Sequence, residues 1–173
     1  MGLVYYGIHE EIALAMRDKY GLRVLIETGT WHGDTAAWAV GEFDWVITIE
    51  VIEEYYRDSA TRLAEYSNVT CEYGDSREVL PKLKGLKSAL WWLDAHWTGH
   101  EDYKKEYGQC AALDEIAIIN SVPNQPQVIM VDDYALFPGM MGITPQELID
   151  ALLNNGQRRV TIEDDIFYAE PKE

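Results

Sequence analysis

Two apolar runs, each closed by an acid and separated by a glycine turn, constrain this chain more than any other feature. Val24–Thr35 reads VLIETGTWHGDT, and Val46–Glu50 reads VITIE. The first run ends at Glu27 and breaks into a turn containing Gly29 and Gly33. Helix-compatible residues follow from Thr35 to Val40, and the second run stops at Glu50. A strand, a glycine turn, a helix and a second strand with an acid about 20 residues on is the pattern of an adenosine-binding unit. Dinucleotide sites of this kind use G-x-G-x-x-G, because the backbone must approach a pyrophosphate closely. Here Thr30 and Trp31 follow Gly29, so the second glycine is missing. Glu27 would also repel a phosphate, whereas it suits an amine or a sulfonium. The simplest ligand with adenosine, a positive charge and no phosphate is S-adenosylmethionine.

The rest of the chain repeats the alternation. Helical periodicity is read over Ile8–Lys19, with Ile8, Ile12, Ala15 and Met16 inward and Gly21 as the stop. Strands are predicted at Arg23–Glu27, Trp45–Glu50, Val69–Tyr73, Ala89–Leu93 and Val128–Val131. Between them lie helices at Asp34–Val40 (capped by Asp34 or Thr35), Glu53–Tyr66 (Tyr56, Ala60, Leu63 and Ala64 inward), Glu78–Leu83 and Cys110–Ile119 (Leu113, Ile116 and Ala117 inward). Thr144-Pro145-Gln146-Glu147 is a helix start with a cap and Pro at the first position; that helix runs to about Leu153, with Gly156 as its end. Arg159–Glu163 and Ile166–Ala169 are short strands joined too tightly for a parallel crossover, so they are antiparallel. The expected fold is an α/β, Rossmann-like three-layer sandwich, its seven-stranded sheet mostly parallel with one antiparallel strand near the edge. Residues 1–173 are expected to form one domain of that kind.

In such sheets ligands bind outside the carboxyl ends of the strands. The predicted ends carry Glu27, Glu50, Asp75, Asp94 and the pair Asp132-Asp133. Glu50 is placed to accept the ribose hydroxyls. Gly74, Asp75 and Ser76 are placed at the adenine, with Asp75 accepting from its amino group. Glu27 lies near the methionine amine, and the amides of Thr30–Asp34 at the helix start can receive the methionine carboxylate; Thr28, Gly29, Thr30, Gly33, Asp34 and Thr35 are all expected at the cofactor. Asp94, Asp132 and Asp133 converge without basic neighbours, which raises each pKa. A divalent cation such as Mg²⁺ relieves that repulsion and can acidify a substrate hydroxyl. Asp94 also serves the cofactor on an alternative reading, with Asp132-Asp133 capping the next segment. His96 is a candidate general base beside Asp94. Zinc on His96, His100 and Cys110 has no paired-cysteine spacing to support it.

The net charge of −16 disfavours nucleic acid and anionic membranes. No stretch reaches the roughly 18 apolar residues of a membrane span, the N-terminal residues carry no signal-peptide pattern, and Cys71 and Cys110 make no disulfide framework. A cytoplasmic protein is expected, with a small-molecule partner. Some of the 11 tyrosines could line a pocket or the face of a homo-oligomer.

Taken in order, IETGTWHGDT, TIE, YGDS, WWLDAHW and VIMVDDY resemble a class I S-adenosylmethionine-dependent methyltransferase, from about Val24 to Tyr168. The pattern is similar to a group of small bacterial methyltransferase-like proteins with ETGT, LDAHW and DD motifs, and more distantly to the metal-dependent catechol O-methyltransferase type. The latter resemblance implies Mg²⁺ at Asp94, Asp132 and Asp133. It departs at Asp133, where that family has Asn, and at Trp97, where its catalytic lysine stands. His96 would then replace the lysine, or no side-chain base is used. The resemblance implies methyl transfer to a small molecule, at oxygen. Two other readings stay open: a non-catalytic S-adenosylmethionine-binding module, and a metal-dependent hydrolase using the Asp cluster and His96.

Overall fold

Val24–Thr28 forms β1, a central strand flanked on each side by a parallel neighbour. The protein is described by a computed structural model over residues 7–83, 88–96, 110–122, 127–137 and 142–172. In chain order the elements are α1 (Glu10–Tyr20), β1, α2 (Asp34–Ala39), β2 (Trp45–Glu50), α3 (Glu53–Leu63), β3 (Val69–Tyr73) and α4 (Ser76–Val79). They continue with a 3₁₀ turn (Leu80–Lys82), β4 (Ala89–Leu93), α5 (Ala112–Asn120), β5 (Gln127–Val131), a 3₁₀ turn (Tyr134–Leu136), α6 (Pro145–Leu153), β6 (Arg158–Glu163) and β7 (Ile166–Pro171). The sheet order is β3-β2-β1-β4-β5-β7-β6. β1 to β5 are parallel, and β7 runs antiparallel to both β5 and β6. This is the predicted seven-stranded Rossmann-like sandwich.

β4 and β5 are buried along their whole length because helices cover both faces of the sheet. On one face Ile26, Trp91, Leu93, Ile129 and Val131 pack with Ile116 and Ile119 of α5 and Leu148 and Leu152 of α6. On the other, Leu25, Val46, Leu90, Trp92 and Met130 pack with Ala13 of α1, Ala36 and Ala39 of α2, and Leu63 of α3. Trp91 and Trp92 therefore enter opposite cores, as strand alternation requires.

The predicted elements shift in instructive ways. α2 is capped by Gly33 at φ 77°, not by Asp34 or Thr35. Asp34 instead pairs with Arg62 at 2.6 Å, and the Thr35 hydroxyl accepts from Ile8 N at 3.3 Å. The helix predicted at Glu78–Leu83 begins earlier, at Ser76, with Asp75 as its cap. Pro81 then turns the chain into a 3₁₀ segment, because it has no N–H for an α ladder. α6 has the predicted cap at Thr144, with a complete capping box, but it stops at Asn154 in the left-handed region rather than at Gly156. Ala15, Ala64 and Ala117 face solvent instead of the core. The inner face of α5 is Ala112, Glu115, Ile116 and Ile119. Most of the predicted loop Ala95–Gln109, including Trp97 and His100, lies outside the described residues. No helix among the described residues is long and apolar enough to cross a membrane.

Leu90 is wholly buried in the centre of β4. Leu90→Ala is expected to lower the unfolding free energy by about 3 kcal/mol, read by urea denaturation, whereas Thr144→Ala loses only about 1 kcal/mol at the surface cap.

Candidate cofactor and metal site

The spatial order of the parallel strands brings the acid-ended tips into one rim. From β3 to β5 the tips carry Asp75, Glu50, Glu27, Asp94 and Asp132-Asp133 side by side. The chain reverses its progress across the sheet between β1 and β4, which is the switch point where such sheets open a crevice.

Gly29 makes that junction. It has φ 84°, and a Cβ there would lie 2.5 Å from the Asp94 carbonyl oxygen and 2.8 Å from its carbon. Asp94 N donates to Thr28 O at 3.0 Å, which locks the two strand ends together. Trp31, at the position of the missing second glycine, nevertheless adopts φ 47°. Its N–H donates to Glu50 Oε2 at 2.9 Å, a bond that holds this unusual conformation for a bulky residue. The indole stacks on His32 with centroids 4.2 Å apart and stays 42% exposed.

Glu50 is fixed from three sides. Besides Trp31, the amides of Val51 and Ile52 donate to its Oε1 at 2.9 and 2.8 Å. A carboxylate so held has one rotamer and keeps acceptor capacity for a ligand hydroxyl. Asp75 is similarly committed: it accepts from Arg77 N at 2.9 Å and pairs with the Arg77 guanidinium at 2.5 Å, which holds its carboxyl below the usual range. Gly74 and Ser76 flank it, with Ser76 buried at the start of α4.

Glu27 sits deeper than the sequence implies. The Thr48 hydroxyl donates to it at 2.5 Å, and Thr30 reaches Thr48 in turn. Burial pushes the Glu27 carboxyl up to about 8, against the Thr48 and Thr35 hydroxyls that favour its ionised form. Two of the turn amides proposed for a ligand carboxylate are already used, Trp31 N by Glu50 and Gly33 N by Thr30 O at 2.8 Å. Thr28 is buried on the opposite face of β1, and the exposed Asp34 is held by Arg62.

The acids of β4 and β5 do converge, but with a different membership. Ligand atoms of Asp94, His96 and Asp133 lie within 4.8 Å of one another, and Asp132 is not part of that group. Asp132 Oδ1 accepts from Asp133 N at 2.8 Å, and Asp133 takes φ 61°. Burial and then the neighbouring acids hold Asp94 well above the usual carboxylate range. Burial pushes Asp132 up to about 7 and raises Asp133, with Asp165 adding to both. His96 is 8% exposed, with Nε2 3.4 Å from Asp132 O and Nδ1 3.5 Å from Cys110 Sγ. Burial lowers its pKa to about 4, so the ring is neutral at physiological pH and a weak base. A neutral imidazole is the form a metal takes. An antiparallel bridge between His96 and Cys110 holds the pair together.

Two residues of the site were not singled out from sequence. Thr48 is a lone hydroxyl in an apolar strand, aligned with Glu27 in the register. Glu115 is wholly buried, and burial pushes its carboxyl up to about 7.

No family model matches the chain, and no curated protein does. Solved structures do. A Staphylococcus aureus protein assigned as a caffeoyl-CoA O-methyltransferase is 13% identical with a TM-score of 0.64, over 99% of this chain and 86% of that one. A methyltransferase from Geobacter sulfurreducens is 10% identical with a TM-score of 0.65, over 94% of this chain and 77% of its own. A Clostridium thermocellum protein assigned as an rRNA methylase is 10% identical with a TM-score of 0.65, over 98% and 100%. The chain has the class I methyltransferase fold.

Glu27 and Glu115 hold protons in the folded protein that the unfolded chain releases above about pH 4.3. The melting temperature is therefore expected to fall as pH rises from 5.5 to 8.5, since the folded state binds more protons over that range. In scanning calorimetry, Glu27→Gln should flatten this slope; a slope equal to wild type would show that Glu27 is not the titrating group.

Proposed function

We propose that the protein is an S-adenosylmethionine-dependent methyltransferase acting on a small molecule, with transfer to oxygen assisted by a divalent cation. The observation that carries the reading is Glu50. A buried carboxylate, fixed by three amides beside the Gly29 turn at the switch point, is built to accept the two hydroxyls of a ribose. The turn has no second glycine for a pyrophosphate, and its neighbouring Glu27 favours a cationic ligand over a phosphate. Asp75 and Ser76 would flank the adenine, and Glu27 the aminopropyl end, with Asp94 at the reacting edge. From β3 to β5 the rim spans four interstrand steps, about 19 Å, which is room for an extended nucleoside joined to an amino acid.

The bound cofactor supplies an electrophilic methyl on sulfur. That methyl would pass from sulfur to the acceptor oxygen, with the hydroxyl proton leaving to solvent. The chain's own contribution is alignment and exclusion of water by the buried rim. Asp94, His96 and Asp133 fit a divalent cation: two carboxylates that burial holds above their usual range, Asp94 further raised by its acidic neighbours, beside a neutral imidazole. When bound, such an ion would acidify the acceptor hydroxyl. The imidazole donor favours Mn²⁺ over Mg²⁺. His96 is thus a better ligand than base, a change from its sequence-based role.

The solved neighbours are assigned to substrates as different as caffeoyl-CoA and rRNA, so the fold does not choose the acceptor. The net charge of −16 argues against RNA, and free Cys71 and Cys110 fit a reducing, cytoplasmic setting. The weak basicity of His96 favours one second reading, a module that binds the cofactor without turnover.

Calorimetric titration with S-adenosylhomocysteine should show one site, and Glu50→Ala should weaken it at least about tenfold through lost charge-assisted hydrogen bonds. No heat from the folded protein at millimolar ligand would remove the cofactor from the account. In thermal-shift assays, saturating Mn²⁺ should raise the melting temperature by about 5 °C, and more than Mg²⁺. Asp94→Asn should abolish that shift. Metal binding with no response to S-adenosylhomocysteine would point to hydrolase chemistry instead.

A further inference from the structure

We propose that β6 is a dimerisation edge: two copies of this chain join their sheets antiparallel through Arg158–Glu163, about a two-fold axis at Thr161. The inference stands on the edge strand alone and does not depend on the cofactor reading.

β6 ends the sheet, and among the described residues it pairs only with β7. The usual protections of an edge strand are missing. Arg158–Glu163 contains no proline, and its register against β7 runs on without a bulge. Arg158 turns inward, where its guanidinium donates to Asn120 Oδ1 at 2.6 Å. Ile162 is 40% exposed on this edge. Just beyond the ladder Lys172 N donates to Gln157 O at 2.9 Å. Alternation along the strand then turns the backbone groups of Arg159, Thr161 and Glu163 toward β7, and those of Val160 and Ile162 away from it. Pro171, which has no N–H, stands opposite Arg158 at a position that needs none. The outward N–H and C=O of Val160 and Ile162 are the groups a partner strand would take.

The strand is self-complementary. A two-fold axis normal to the sheet keeps each face continuous, so only residues of one face can stand opposite one another. With Thr161 on the axis, Val160 faces the partner's Ile162, and Arg159 faces the partner's Glu163. On the α5–α6 side Val160 and Ile162 stand beside Ala169 and Phe167, so the apolar strip continues into the second copy. On the other side opposite charges meet, and Thr161 meets its own copy. Cross-strand pairs of these kinds stabilise a sheet. Arg159 donates through Nε to Glu170 at 2.9 Å, yet its side chain stays 62% exposed. A guanidinium has five donors and can serve two carboxylates. Glu163 is exposed and accepts from the Tyr168 hydroxyl at 3.2 Å. Moving the axis to Val160 would set Arg159 against Thr161 and Glu163 against Gln157. Moving it to Ile162 would draw in Asp164 and Asp165, which have left the strand at φ 48° and 67°. The register at Thr161 alone pairs charge with charge and apolar with apolar inside the strand.

The edge is short beside a standard interface of about 1,600 Å², and two copies of net charge −16 repel. The dimer is therefore reversible, with a Kd on the order of 10⁻⁵ M. The hairpin that it braces reaches the rim. In the β6–β7 turn the Asp165 carbonyl accepts from Tyr134 N and its carboxylate from Ala135 N, both at 2.8 Å, directly after Asp133.

Sedimentation velocity on the full chain from about 5 to about 500 µM, in salt near physiological strength to screen the long-range repulsion, tests this. The average mass is expected to rise from 19.8 kDa toward twice that value. Ile162→Lys should stay monomeric throughout while melting within about 2 °C of wild type, because a charge on an exposed edge spares the fold. Crosslinking with oxidised glutathione reads the register, with wild type, which holds Cys71 and Cys110, as background. Directly opposed residues have Cα atoms about 5 Å apart, so Thr161→Cys should link copy to copy. In Ile162→Cys the two positions would lie about 8 Å apart, and linking should be at least about tenfold less. A wild type still monomeric at the highest concentration, a dimer indifferent to Ile162→Lys, or equal crosslinking by the two cysteine variants overturns the proposal.

Discussion

The β1 turn can lie against the end of β4 because residue 29 has no side chain. With the Asp94 carbonyl 2.5 Å from where a Cβ would stand, any other residue would push the two strand ends apart. The backbone bond from Asp94 N to Thr28 O fixes the same junction. Everything placed on the rim depends on it. It brings Glu27 and Asp94 onto neighbouring strand tips, sends the glycine turn toward β2, and lets Trp31 N meet Glu50. The proposed cofactor and metal halves of the site would meet at this one contact.

A second constraint is charge. Among the described residues the rim gathers buried and half-buried acids without a matching set of bases, and the protein meets the cost by protonation. Glu27, Asp94, Asp132 and Glu115 are all held above the ordinary carboxylate range, chiefly by burial. Glu170 shows the contrasting solution at the far end of the sheet. It is buried like Glu27, but Lys19, Arg159 and Tyr20 donate to it and take its pKa down to about 2. Among the described residues no such cationic partner meets Glu27, Asp94 or Asp133. A cationic ligand and a divalent ion would supply what the chain itself does not, which links affinity for both to pH.

Much of this was legible in the sequence. The alternation of apolar runs with helical periods gave the sheet, and the acid at each strand end gave the rim. The tight link at Glu163–Asp165 gave the antiparallel pair. What escaped depends on tertiary contacts. The candidate metal ligands expected from strand order are Asp94, Asp132 and Asp133; the group whose ligand atoms lie within 4.8 Å of one another is Asp94, His96 and Asp133, while Asp132 accepts from Asp133 N. Glu27 is expected near the methionine amine, and its burial under Thr48 was hidden because that link crosses between strands whose register only the folded sheet defines. Glu115 was within reach: Ala112, Glu115, Ile116 and Ile119 keep the spacing of one helix face. A preference for placing charges outside hid it.

The central claim is that one rim holds an adenosyl cofactor with its ribose on Glu50 and its sulfur toward Asp94. A crystal structure of the protein with S-adenosylhomocysteine tests it most directly. The account predicts both ribose hydroxyls on the Glu50 carboxylate, adenine beside Asp75 and Ser76, and the homocysteine chain over the Gly29 turn. Ligand density elsewhere, or a ribose that leaves Glu50 bonded only to its three backbone amides, would contradict it.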